Sequence, residues 1–77
     1  MRDSSISLRE WVTLRDGDTA QIVVGLWQTR HETYRAAYLT DGDFEICLTD
    51  ARDVSDEQLM QLGLEEAARE LGAVLCE

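Results

Sequence analysis

Lysine and proline are both absent from this chain of 77 residues, which also contains only one histidine and two cysteines. Without lysine, seven arginines face 16 acidic residues, and the net charge at pH 7 is −9. That charge argues against nonspecific nucleic-acid binding and disfavours anionic membrane surfaces, because both depend on cationic side chains. No apolar run approaches the about 20 residues that span a bilayer, and the sequence starts without the apolar segment of a secretory signal. We therefore expect a cytoplasmic protein without membrane contact.

The scarcity of cysteine and histidine also limits the chemistry. Cys47 and Cys76 are too few for a disulfide framework, which suits a reducing compartment. Together with His31, expected in a loop, they do not reach the four ligands of a structural zinc site. No nucleophile elbow, phosphate-binding loop or zinc-protease motif is present. We expect no enzyme activity, no cofactor and no metal; a small catalytic or metal-dependent protein is the least favoured class.

Two Asp-Gly pairs, at residues 16–17 and 41–42, separate runs of alternating apolar residues. In that setting Asp-Gly predicts tight hairpin turns, whose two central residues must tolerate a positive φ. Three short connections between consecutive strands favour an antiparallel meander. The strands are expected near residues 8–15, 19–28, 33–40 and 43–49.

The alternation also predicts which face of the sheet is buried. Apolar residues occupy most even-numbered positions of all four strands, so these positions should share one buried face. The odd-numbered face should be polar, but it includes both tryptophans. Long arginine stems covering the two rings would be the purely structural explanation. The alternative is that this apolar face is a partner-binding or homodimer interface. The residues that we predict for this interface are Trp11, Val23, Trp27 and Leu39.

A helix is predicted after the sheet. Ser55 and Gln58 form a capping box, and Val54 and Leu59 occupy the positions of a hydrophobic staple. Gly72 is a typical helix C-cap. The helix places Met60, Leu64, Ala67, Ala68 and Leu71 on one apolar stripe, which should cover the even-numbered face of the sheet. We therefore expect residues 1–77 to form one α+β domain with a four-stranded antiparallel sheet, one C-terminal helix and a possible fifth strand within 73–77.

Acidic residues are concentrated in the second half of the chain. Residues 41–77 contain eleven acids and two arginines, so the net charge of this segment is −9, the same as that of the whole protein. Turn preferences and helix surfaces explain each acid singly, but not the absence of lysine. Asp-x-Asp spacings at 16–18 and 41–43 do not continue into a calcium-binding loop. We predict an acidic partner-binding surface formed by Asp41, Asp43, Glu45, Asp50, Asp53, Asp56, Glu57, Glu65, Glu66 and Glu70.

In size, acidity, lack of a catalytic residue set and α+β plan, the chain resembles the small acidic proteins that phages direct against host nucleic-acid machinery, above all anti-CRISPR and anti-restriction proteins. The resemblance implies an inhibitor that binds a basic surface of a CRISPR effector complex, with carboxylates in place of DNA phosphates. The competing hypothesis is a homodimeric interaction module, antitoxin-like or an accessory subunit, that acts through the tryptophan face. Strong salt dependence of binding would favour the first hypothesis, and loss of the complex in tryptophan variants the second.

Overall fold

A computed structural model of the chain describes residues 6–42, 44–50 and 53–76. The strands form one antiparallel sheet in the order β4-β3-β2-β1-β5, and the helix packs on one side of it. The predicted α+β architecture is confirmed, and the chain closes with a short fifth strand. The elements are β1 (Leu8–Thr13), β2 (Thr19–Gln28), β3 (Thr33–Thr40), β4 (Glu45–Thr49), α1 (Asp56–Leu71) and β5 (Val74–Leu75).

Both Asp-Gly pairs lie in hairpin connections, as predicted. In the first, the Gly17 amide donates to the Leu14 carbonyl at 2.9 Å, and the Leu14 amide donates to the Asp18 carbonyl at 2.8 Å. Gly17 has a φ of +94°, whereas no non-glycine residue in the described part of the chain has a positive φ. The expectation that both central residues adopt positive φ is therefore wrong here. The turn is a three-residue loop that ends in a left-handed glycine.

The hydrophobic core lies between α1 and one side of the sheet, which we call the helix face. β1 and β2 turn even-numbered residues toward it, and Val12, Ile22 and Val24 are fully buried there. From the opposite side, α1 contributes Leu59 and Met60 to the same cluster. The helix thus covers the face on which the alternation of β1 and β2 had placed their apolar residues.

The prediction that all four strands turn their even-numbered residues toward the helix is wrong for β3. Ala37 and Leu39 of this strand are fully buried in the core beneath α1. Tyr34, Ala36 and Tyr38 lie on the other side of the sheet. We call that other side the open face.

Loop length explains the reversal. Directly opposite residues of an antiparallel pair point to the same face, so the number of residues in a connection sets the parity of the next strand. Five residues separate the paired ends of β1 and β2, which preserves the parity. Four residues separate β2 from β3, and four more separate β3 from β4, so the parity reverses twice. Ile46 of β4 accordingly pairs with Leu39 of the helix face, and Leu48, which lies at a register shift of β4 against β3, packs against the core as predicted.

The ends of α1 follow the predicted signals. Ser55 and Gln58 form the capping box, each side chain accepting the backbone N–H of the other. Gly72 caps the C-terminus in the left-handed conformation, with a φ of 67°. The predicted apolar stripe needs one correction, because Ala68 is exposed. No helix in the described part of the chain has the length and apolar character needed to cross a bilayer.

A glycine on the buried side of α1 brings the helix close to the sheet. A Cβ atom on Gly63 would lie 2.8 Å from the Cβ of Ala37 and 3.5 Å from Cγ2 of Ile22. The backbones of α1 and β3 are so close here that they leave little room for larger side chains between them. The small residues at 63 and 37 therefore allow the short distance between helix and sheet.

Candidate functional site

Three of the four residues predicted for the apolar interface lie on the open face. Trp11, Val23 and Trp27 belong to β1 and β2 and have the parity opposite to that of the buried Val12 and Ile22. Their exposure differs greatly: the residue Trp11 is 55% exposed, whereas Val23 is only 2% exposed. The open face is therefore not uniformly accessible, although no described element packs over it as a layer.

Leu39 does not belong to this interface. It pairs with Ile22 across β2 and β3, and it is fully buried in the core on the helix face. Its assignment to the open face is wrong for the reason already given, the four-residue connection that reverses the parity of β3.

An aromatic pair that the alternation did not predict covers the centre of the open face. The rings of Trp27 and Tyr38 are 5.1 Å apart between centroids, with an angle of 50° between their planes. Gly25 and Ala36, which are directly paired and buried, lie between Trp27 and Tyr38. Because these two residues are small, the indole can lean along the sheet onto the tyrosine. Loop length was the one sequence signal that would have placed Tyr38 here.

Trp11 lies at the other end of the open face, next to the last strand. Val74 of β5 is directly paired with Thr13 of β1, so both residues are on the same side of the sheet as Trp11. The Cys76 amide donates to the Trp11 carbonyl at 2.9 Å. Val74 is 63% exposed. Trp11 and Val74 therefore form an exposed apolar patch, which we call the Trp11 patch.

Residues 73–76, which border this patch, are held in place. Ala73 is only 6% exposed and belongs to the core. The Thr13 hydroxyl and the Cys76 thiol are 3.2 Å apart, within hydrogen-bonding distance for sulfur. These contacts act together with the β1–β5 backbone pairing. The Trp11 patch is thus built on regular, packed backbone, which gives it a defined shape before any partner binds.

The predicted acidic surface falls into three groups in the structure. At the end of the sheet that carries the β1–β2 and β3–β4 turns are Asp41 and Glu45; Asp43 lies outside the described residues. At the opposite end, Asp50 and Asp53 lie in the connection between β4 and α1, and Asp56 and Glu57 lie in the first turn of α1. Along α1 lie Glu65, Glu66 and Glu70. No charged residue in the described part of the chain is buried, so the other nine carboxylates of this set are at the surface.

Two further acids join the turn end of the sheet. Asp16 and Asp18 belong to the β1–β2 connection, and the Asp18 amide donates to Oδ1 of Asp16 at 3.0 Å. In a meander the first and third turns lie at the same end. The structure therefore places Asp16 and Asp18 at the same end as Asp41 and Glu45. We call these four residues the turn-end acids.

Asp56 holds the start of the helix against the sheet. Arg35 of β3 donates from Nε to Oδ1 of Asp56 at 3.1 Å and from Nη2 to Oδ2 at 3.0 Å. The same Nη2 donates to the Ser7 hydroxyl at 2.9 Å. Hydrogen bonds from Ser7 and Arg35 lower the pKa of the Asp56 carboxyl, against a smaller opposing effect of burial. This carboxylate is already bidentately bound within the chain.

On the exposed side of α1, Arg69 shares its charge between two acids. Its Nη2 donates to Oε1 of Glu66, and its Nε lies 3.8 Å from Oε2 of Glu70. Such pairs on a helix surface are weak, because water and salt screen them. Glu57 and Glu65 complete the acidic set on the helix, and both are exposed.

The residues considered for catalysis or metal binding lie apart from one another. His31 is exposed in the β2–β3 connection, where its amide donates to the Thr29 hydroxyl. Cys47 is on β4 at one edge of the sheet, whereas Cys76 follows β5 at the other edge. Burial raises the pKa of the Cys47 thiol, Asp50 adds to this, and a hydrogen bond with Tyr34 opposes it. Across the described residues, no group of three or more His, Cys, Asp or Glu side chains is arranged to hold a metal ion.

Comparison of this chain with protein-family models, with curated proteins and with solved structures finds no match in any of the three.

Proposed function

We propose that this protein is a non-enzymatic inhibitor that binds the basic, nucleic-acid-binding surface of another protein. The class of target that its resemblance suggests is a host defence complex, in particular a CRISPR effector complex. The observation that supports this proposal is the surface position of the carboxylates in a chain with a net charge of −9. Carboxylates on a folded domain suit a groove of arginines and lysines, because arginine pairs with carboxylate and phosphate through the same donors.

Not every carboxylate is equally suited to that contact. Asp56 is bound by Arg35, so a partner would have to replace an existing bidentate ion pair. Glu57 and Glu65 are exposed on α1, and Glu70 is only loosely placed against Arg69. We therefore assign the helix part of the contact mainly to these three glutamates, with Glu66 more engaged within the helix itself.

A competition experiment tests the proposal. A purified CRISPR effector complex is titrated with its target DNA in the presence of increasing amounts of this protein, at low and at moderate salt. We expect DNA binding to decrease as the protein is added, and the inhibition to weaken with salt, because exposed charges are screened. The triple variant Glu57→Gln, Glu65→Gln and Glu70→Gln should inhibit less, while Gln61→Ala on the same helix should not. DNA binding that stays unchanged at saturating protein for a panel of such complexes would contradict the proposal.

Self-association through the open face is the second candidate function, and the exposure of Trp11 favours it. A homodimeric module, antitoxin-like or an accessory subunit, would bury this side chain against a second copy, since two-fold dimers are the commonest oligomers. Sedimentation equilibrium distinguishes the two states, because the monomer has a mass of 8.7 kDa. A dimer that Trp11→Ala converts to a monomer would support this candidate, and a monomer at high concentration would exclude it.

A further inference from the structure

We infer that the Trp11 patch is the docking site for an arginine-rich segment of a basic protein partner, with the indole of Trp11 as the anchor. This inference rests on the proposed function, since it assumes a basic partner. It adds the main point of contact, at the edge of the sheet, to the helix part of the contact described above.

The first argument is the nature of the Trp11 patch. Trp11 is 55% exposed and Val74 beside it 63% exposed, on backbone held by β1–β5 pairing and by the contact between Thr13 and Cys76. Large exposed apolar side chains on a fixed surface are typical of binding hot spots, where Trp is enriched. An indole also binds guanidinium groups through its π face, and more strongly than the rings of tyrosine and phenylalanine do.

The second argument is the charge around the Trp11 patch. Trp11, Gln21, Thr40 and Glu45 form one row across four strands, which puts Glu45 roughly 14 Å from Trp11 at the usual strand spacing. Asp16 and Asp18 are in the turn that follows β1, and Asp41 is in the neighbouring turn. The turn-end acids thus flank the apolar patch on the side of the turns.

Two arginines also lie near this end of the sheet. Arg9 is on the open face two residues from Trp11, on the side away from the turns. Arg15 is in the β1–β2 turn, where its amide donates to the Leu71 carbonyl and its side chain lies against Gly72 at the end of α1. The four turn-end acids outnumber these two cations. An arginine-rich segment that approaches from the turn side therefore meets a favourable potential before it reaches the indole.

The same charges argue against a second copy of this chain as the occupant. Two molecules joined through the Trp11 patch bring two sets of turn-end acids near each other. Each copy also carries a net charge of −9. Like-charge juxtaposition at an interface costs several kcal/mol in general. A basic partner removes that repulsion and uses the same apolar contact.

Fluorescence of a variant with a single tryptophan tests this inference directly. Trp27→Phe leaves Trp11 as the one indole, and nona-arginine peptide with blocked ends serves as the probe, with nona-lysine for comparison. We expect the Trp11 emission to change on binding nona-arginine at low salt, with tighter binding than nona-lysine because guanidinium stacks on indole. Binding measured by calorimetry should weaken about tenfold in Trp11→Ala.

Two triple variants with equal net charge locate the contact. Asp16→Asn, Asp18→Asn and Glu45→Gln remove three of the four turn-end charges, whereas Glu57→Gln, Glu65→Gln and Glu70→Gln remove three charges from the helix. The inference predicts a larger loss of affinity in the turn-end variant. An equal or larger loss in the helix variant, or no effect of Trp11→Ala, overturns it while leaving a basic partner in place. If no variant binds nona-arginine in a salt-dependent way, the proposed function is contradicted as well. If the protein is a dimer that Trp11→Ala dissociates, the patch belongs to a second copy of the chain instead.

Discussion

Both tryptophans of this protein are at odd-numbered positions and lie on the same face of the sheet, but their surroundings differ. Trp27 leans across the small Gly25 and Ala36 onto Tyr38, with which it forms a ring pair. Trp11 is directly paired with Gln21, is bordered by the last strand, and stays 55% exposed. The neighbouring residues therefore decide whether an indole on an uncovered face becomes part of the fold or stays available for a partner.

This difference separates a structural half of the open face from a candidate functional half. Around Trp27 the face is closed by its own side chains, as the 8% exposure of Tyr38 shows. Around Trp11 the face ends at a two-residue strand and at the acidic turns. A single prediction for both tryptophans, made from their shared parity, does not make this distinction.

Alanine substitution of each tryptophan is the strongest test of the comparison. We expect Trp27→Ala to lower the free energy of unfolding by roughly 2–4 kcal/mol, because it removes the ring that covers Tyr38 and Ala36. Trp11→Ala should cost less than about 1 kcal/mol, as is usual for an exposed side chain without a buried partner. Urea unfolding followed by far-UV circular dichroism measures both. Equal losses in the two variants would show that the halves of the open face do not differ.

The helix face contains a close packing contact of a different kind. Here Gly63 meets Ala37 directly, and an added Cβ would lie 2.8 Å from that of Ala37. Gly63→Ala should destabilise the protein by about 1–2 kcal/mol, because overpacking in the core exceeds the gain in helix propensity. Urea unfolding measures the change.

Ala68 provides the matched control for that substitution. It is exposed on the same helix, so Ala68→Gly measures the propensity difference alone, about 1 kcal/mol. The double variant Gly63→Ala with Ala37→Gly should regain part of the stability lost in Gly63→Ala. If Gly63→Ala were stabilising by the amount that Ala68→Gly loses, the close packing of α1 on β3 would be refuted.

The Arg35–Asp56 pair gives the helix face a pH dependence. The pKa of Asp56 is lower in the folded state than in the unfolded state. Its contribution to the free energy of unfolding is therefore fully present above the unfolded-state pKa and is lost as the pH falls through the folded-state pKa. The two side chains are 40% and 33% exposed, so solvent screening limits the contribution to between about 0 and 1 kcal/mol. Wild type should therefore exceed Asp56→Asn in stability at neutral pH, and this difference should shrink below about pH 4.

Asp53 is the control for the loss of one charge, since it is exposed and precedes the same helix. Asp53→Asn should change the stability at neutral pH less than Asp56→Asn does. A stability difference between wild type and Asp56→Asn that grows on acidification would contradict the assigned role of Arg35.

The smallest expected difference is in the alkylation rates of the two cysteines, and it does not concern stability. Cys47 is directly paired with Tyr38 in the structural half of the open face, and burial, followed by Asp50, raises the pKa of its thiol. Cys76 is exposed beside Trp11. In single-thiol variants Cys47→Ser and Cys76→Ser, iodoacetamide near neutral pH should modify Cys76 several-fold faster, because the thiolate is the reactive form. Mass spectrometry measures the rates, which should converge in high urea; equal rates in the folded protein would contradict the burial of Cys47.

Much of the fold follows from local sequence signals. The Asp-Gly pairs placed the first and third hairpins, and the capping box and Gly72 placed both ends of α1. These features depend on residues within a few positions of one another, so a single sequence contains the information. The parity of β3 failed for a different reason: its apolar residues occupy both parities, and the loop that sets its register has no apolar pattern of its own.

For the candidate site, the sequence determined the composition and the tertiary structure decided the arrangement. The residues alone showed a net charge of −9 without lysine, and two tryptophans at odd-numbered positions of strands in which apolar residues alternate. Only the folded chain showed Leu39 beneath the helix, Asp56 bound to Arg35, and Trp11 at the same end of the sheet as the turn-end acids. The physical reason is that strand pairing and ion pairing join residues far apart in sequence, and their partners depend on loop lengths and close packing that no local pattern encodes.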